Sequence, residues 1–124
     1  MPHIFQIFTV EYFESDDGSY PVETFILTQN PKMQAKIFRS LMLLEQFGNQ
    51  LREPYSKHLR DGIYELRTRQ GSDITRVLYF FFVDRRIILT NGFVKKTTET
   101  PPEEIKTAMD RRKRYLERQE RNNE

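Results

Sequence analysis

The sequence has no cysteine, which excludes disulfides, thiolate metal sites and a cysteine nucleophile. Its two histidines, His3 and His58, are too few and too far apart for a zinc site. No apolar run approaches the roughly 20 residues that span a bilayer. The initial Ile4-Phe5-Gln6-Ile7-Phe8-Thr9-Val10 lacks a basic flank and a small-residue cleavage site, so it reads as a strand rather than a signal peptide, and a soluble cytoplasmic protein is expected. Charge of one sign is also lacking overall, since 20 basic residues face 18 acidic ones. It is unevenly spread: residues 1–51 carry net −3 and residues 52–124 carry net +5, which puts the basic character in the second part. A chain of 124 residues is read as one domain with a real core, ending in a frayed polar tail at 119–124.

The remaining chain is organised around residues 62–96, read as three consecutive strands. Ile63 to Arg69 alternates, with Tyr64, Leu66 and Thr68 on one side and Glu65, Arg67 and Arg69 on the other. Ile74 to Val83 is too apolar for an edge and suits the middle of a sheet. Ile87 to Phe93 is again rich in β-formers. Gln70 to Asp73 and Asp84-Arg85 supply the turns, giving an antiparallel meander.

Those turns set the pairing. If Val83 faces Arg86, Arg76 faces Phe93 and lies diagonal to Lys95. If Arg69 faces Ile74, Arg67 lies directly opposite Arg76, and both are expected to be exposed on the sheet. Two arginines facing one another should destabilise a ladder. Either an anion such as phosphate holds them together, or each pairs with Glu65, Asp61 or Asp73 on a solvated face.

Before the meander, Ile4 to Phe13 alternates as a first strand, which must join the same sheet. Ser15 to Ser19 ends it. Pro21 opens a short helix carrying Val22, Phe25 and Ile26 at helical spacing. Asn30-Pro31 separates it from a second helix with Met33, Ile37, Leu41, Leu44 and Phe47 on one face and Gly48 at its end. Gln50 to Arg60 reads as a polar loop in which Lys57 is solvated and His58 is a surface histidine. Thr97 to Thr100 is a linker, and Thr100-Pro101-Pro102-Glu103 has capping-box spacing for a last helix. That helix shows a stripe of Ile105, Ala108, Met109 and Leu116, and its Arg111-Arg112-Lys113-Arg114 run reads as a solvated face. The order β-α-α-β-β-β-α makes an α+β fold, a twisted antiparallel sheet with an N-terminal helical hairpin and a C-terminal helix.

Gly62-Ile63-Tyr64-Glu65-Leu66-Arg67, Arg76-Val77-Leu78-Tyr79-Phe80-Phe81 and Gly92-Phe93-Val94-Lys95-Lys96, followed by Thr100-Pro101-Pro102-Glu103-Glu104-Ile105, resemble the HigB-like (phage Gp49-like) branch of the RelE/ParE toxin superfamily. The likeness runs from about residue 20 to 116. It implies a RelE-like domain acting as the toxin of a bacterial type II toxin–antitoxin pair, an endoribonuclease (mRNA interferase) that cleaves messenger RNA on the ribosome without a metal. The ribose 2′-hydroxyl attacks the adjacent phosphate and leaves a 2′,3′-cyclic phosphate. By position the resemblance gives Arg67, Arg76 and Lys96, with Lys95 beside it, as the catalytic group. Lys57 also matches a basic position of the family. His58, Arg69, Arg111 and Arg112 join Lys57 as candidate RNA contacts. The implied partner is a cognate helix-turn-helix antitoxin of the HigA kind. On the same fold a ParE-like gyrase inhibitor, or a non-catalytic RNA- or ribosome-binding module, are the competing classes.

Overall fold

The computed structural model describes residues 7–123. Among the described residues prolines open all three α-helices, at positions where a missing N–H leaves nothing unsatisfied. Helix α1 (Pro21–Leu27) is short, and α2 (Pro31–Phe47) follows after Asn30, whose side chain accepts from Met33 N at 2.8 Å. Met33, Ile37, Leu41 and Leu44 are buried along α2, whereas Phe47, at the end of the expected stripe, is exposed. Gly48 ends α2 at φ +52, and a Cβ there would lie 2.1 Å from the Phe8 ring, so the close approach of the entering chain requires glycine.

Among the described residues the sheet has five strands: β1 (Thr9–Tyr12), β2 (Ser56–Arg60), β3 (Ile63–Gln70), β4 (Asp73–Phe82) and β5 (Arg86–Val94). Their order is β1-β5-β4-β3-β2, with β1 parallel to β5 and the remaining pairs antiparallel. The first strand begins later than its alternation implied, and Ile4 to Gln6 lie outside the described residues. The stretch expected to be a loop, Gln50 to Arg60, instead supplies β2. Its polar side chains hid it, because only Ser56 is buried. The turn that makes it a hairpin, Asp61-Gly62, has both residues at positive φ (51° and 80°), the geometry for which this dipeptide is selected.

The meander register agrees with the reading that places Arg69 opposite Ile74 and Arg67 opposite Arg76. At the next turn Phe82, not Val83, faces Arg86. An extra residue in β5, Thr90, then restores Arg76 opposite Phe93.

Strand β4 is apolar on both sides because both are covered. On one face Leu66, Val77, Tyr79, Ile87 and Leu89 pack under α1 and α2. On the other, Ile63, Leu78, Phe80 and Ile88 pack under α3 (Pro102–Asn122). Here the expected stripe shifts by one residue: Tyr115 enters the core with Ala108, and Leu116 is 38% exposed. The capping box does not form, since Thr100 is engaged elsewhere, and the helix continues through the expected frayed tail to Asn122. The basic run is a clamp rather than a solvated face. Arg111 donates to Thr90 O at 2.8 Å, and Arg114 reaches Asp16 at 2.9 Å, where Arg118 joins it at 2.6 Å. Among the described residues no helix is long and apolar enough to cross a membrane.

Candidate functional site

The alternation of β3 turns Glu65 and Arg67 toward the α3 side of the sheet, and the β3–β4 register sets Arg76 opposite Arg67. The expected repulsion is relieved from within. Glu65, 1% exposed, accepts from Arg67 Nε at 2.8 Å and pairs with Arg76 NH1 at 3.3 Å. Thr100 Oγ1 accepts from Arg76 NH1 at 2.7 Å and donates to Glu65, and Arg76 NH2 donates to Thr98 O at 2.9 Å. The segment between β5 and α3 therefore closes over Arg76.

Arg76 is thus not on an exposed face but 2% exposed, which corrects the expectation from the sequence. Burial lowers its pKa; the Glu65 carboxylate opposes that shift and the Arg67 guanidinium adds to it. Its Nε has no hydrogen-bond partner among the described residues. Arg67 differs: its side chain is 29% exposed, and the bond to Glu65 fixes Nε and leaves the terminal nitrogens without a protein acceptor among the described residues. A guanidinium held by Nε with a free fork is arranged for bidentate contact with a phosphate.

Beyond Leu66, β2 no longer pairs with β3, and Tyr55 O accepts from Arg67 N at 2.8 Å as the last link. A groove of about 410 Å³ opens there between α2, the Pro54-Tyr55 segment and the strand ends. Five cations line it, Lys36, Arg39, Arg67, Arg69 and Lys95, together with Tyr55, and no carboxylate among the described residues does. Among the described residues, Lys36, Arg39, Arg69 and Lys95 form no ion pair. Elsewhere on the sheet and α3, Arg60, Arg86, Lys106, Arg114 and Arg118 are bridged to Asp61, Glu11, Asp110 or Asp16, whereas four of the five groove cations have no such partner among the described residues.

Lys95 is shared between this groove and an adjoining recess that contains Arg76 and Lys96. Its N–H donates to Ile74 O at 2.8 Å and it follows Phe93 by two residues, which puts it on the Arg76 face. Lys96 is exposed at the recess, where Glu99 and Glu104 mix the charge. Lys57 lies opposite Glu65 on β2, exposed and outside the groove. His58 pairs with Tyr64 and therefore faces the α1–α2 side, where it packs edge-on against the Tyr64 ring at 4.9 Å. His58 Nε2 accepts from Gly62 N at 3.2 Å. Neither Arg111 nor Arg112 lines the groove; the second donates to Asp61 O and ties α3 to the β2–β3 turn.

Sequence reasoning missed Lys36, Arg39 and Tyr55. Read along the chain, the two cations are ordinary polar positions of an amphipathic helix. One faint signal existed: the only basic residues of the acidic first part, Lys32, Lys36 and Arg39, all fall on α2. Among the described residues no group of three or more His, Asp or Glu side chains could hold a metal ion.

The family model for phage-derived Gp49-like proteins matches residues 24–113, from within α1 to the middle of α3. No curated protein matches the chain.

Proposed function

The chain belongs to the Gp49-like family of phage-derived proteins, and from that premise we propose that it is the toxin of a bacterial type II toxin–antitoxin pair, acting as a ribosome-dependent endoribonuclease. The observation that carries this reading is the five-cation groove without a carboxylate, with the Arg67 fork free inside it. In the proposed step the ribose 2′-hydroxyl gives up its proton as its oxygen attacks the adjacent phosphorus, the bond to the 5′-oxygen breaks, and that leaving oxygen takes up a proton in exchange. The products are a 2′,3′-cyclic phosphate and a free 5′-hydroxyl. Negative charge grows on the non-bridging oxygens, and Arg67 with Lys95 is placed to stabilise it where it develops. Arg76 acts through Glu65, orienting Arg67 rather than touching RNA.

Among the described residues no histidine lines the groove. The ribosome therefore contributes by holding the message in line for attack, a positioning effect worth on the order of 7–11 kcal/mol in favourable cases. The cognate partner on this reading is a helix-turn-helix antitoxin of the HigA kind.

The test is single-turnover cleavage of a message with and without ribosomes, together with sequencing of RNA ends after brief expression. Wild-type protein gives new 5′-hydroxyl ends within translated messages, and Arg67→Ala lowers the rate by roughly 10²–10³, the usual loss for one charge-stabilising donor. Equal rates on free and ribosome-bound RNA would sink the ribosomal part. Growth arrest with a DNA-damage response and no new RNA ends replaces the nuclease with gyrase inhibition.

A further inference from the structure

Tyr55 is 49% exposed and lines the groove together with its five cations. Its backbone is held on both sides: its N–H donates to Arg52 O at 3.0 Å, and its C=O accepts from Arg67 N at 2.8 Å. That strand-like bond sets the two residues side by side, roughly 5 Å apart, as neighbouring strands are spaced. Tyr55, with its exposed ring, and Arg67, with its free fork, are thus neighbours along the backbone and both line the groove. Leu43 and Pro54 add apolar surface to the same groove, and Lys36 and Arg39, three residues apart on α2, add positive charge to it.

We propose that this groove is a subsite for one unpaired nucleotide, in which Tyr55 stacks the base while Arg67, Lys36 and Arg39 hold the flanking phosphates. A base in a duplex has both faces covered by its neighbours, so the stacking contact selects single strands. The proposal rests on the groove being the RNA site of the function proposed above, and it assigns the wall formed by α2 and residues 54–55 to substrate recognition rather than chemistry.

The experiment uses the full chain and a fluorescently labelled hexaribonucleotide carrying 2′-O-methyl groups throughout, so that binding is read without cleavage. Anisotropy titrations compare wild type, Tyr55→Phe, Tyr55→Leu and Lys36→Ala/Arg39→Ala over a salt series. Tyr55→Phe stays within about twofold of wild type. Tyr55→Leu weakens binding roughly 5- to 150-fold, the equivalent of about 1–3 kcal/mol for one stacked base, with no change in salt slope. The double α2 variant weakens binding and lowers the slope by roughly 0.7 for each phosphate it no longer neutralises. A 2′-O-methyl duplex is bound by Tyr55→Leu as by wild type.

Unchanged hexamer binding by Tyr55→Leu overturns the subsite, as does an equal loss on the duplex. Displacement of the hexamer by an acidic peptide with equal strength from wild type and Tyr55→Leu marks a general polyanion groove and also overturns it. If RNA-end sequencing finds no cleavage while Tyr55→Leu still loses single-strand binding, the nuclease reading fails and the subsite stands.

Discussion

Replacing Glu65 by leucine tests the arrangement on which the sheet depends. Glu65 is 1% exposed and Arg76 2%, with 3.3 Å between their charged groups. Truncating one member of such a pair leaves a buried charge without its counter-ion, which costs about 3–5 kcal/mol. A domain of this size has roughly 5–15 kcal/mol in total. At about 3–5 °C per kcal/mol for a chain of this length, Glu65→Leu should lower Tm by roughly 10–20 °C. Arg67 adds little to that loss, because its partly exposed fork remains solvated. Changing both buried partners, Glu65→Leu with Arg76→Met, removes the uncompensated charge and should recover most of the deficit. The assay is urea and thermal unfolding of wild type, both single variants and the double, analysed as a cycle. A Glu65→Leu loss under about 1 kcal/mol, or no coupling in the cycle, would refute a buried ion pair at this position. The same reasoning makes Arg76→Ala an unsuitable probe of activity, since the fold suffers first, and leaves Arg67→Ala as the clean one.

Tyr79 is fully buried and shares a 2.5 Å hydrogen bond with Ser56, and burial raises its phenol to about 12. The neutral form is favoured by folding, so its stabilisation is complete below the ordinary tyrosine pKa of about 10 and is lost as pH rises through about 12. Alkaline unfolding followed by circular dichroism should therefore steepen across that window, and Tyr79→Phe should flatten it while costing about 1–3 kcal/mol at neutral pH through the unpartnered Ser56 hydroxyl. A Cβ at Gly92 would lie 2.5 Å from the Phe25 ring, so Gly92→Ala should cost about 1–3 kcal/mol in urea unfolding unless Phe25→Leu accompanies it. Asp16 lies at the Arg114–Arg118 clamp, and hydrogen bonds from Arg118 and then Arg114 lower its pKa. Its contribution is present above about pH 4 and falls away as pH drops through the lowered value, so Asp16→Asn should remove part of the acid sensitivity of α3 amide-exchange protection.

The meander, the two N-terminal helices and the α+β order were legible in the sequence because their signals are local. Alternation, Pro21, Pro31, Gly48 and two short turns act within a few residues of where they stand. The opposition of Arg67 and Arg76 was legible too, because register follows from turn length, and the one-residue discrepancy at Val83 was cancelled by the bulge at Thr90. Strand β2 was missed although Asp61-Gly62 announced its turn, since its own side chains carry almost no apolar alternation.

Which charges are neutralised is a matter of packing. Glu65 neutralises Arg76 because Thr98 and Thr100 close over the pair from a segment more than 20 residues away along the chain, and no local pattern encodes that approach. The clamps of Arg111, Arg112, Arg114 and Arg118 arise in the same way, from the packing of α3 onto the sheet. Conversely, Lys36, Arg39 and Tyr55 become a site only when α2 is laid beside the open edge of β3. Elements and register follow from interactions between near neighbours, which any stretch of the chain carries within itself. The uncompensated groove is a sum over the positions of distant charges, and those positions exist only once the chain is packed.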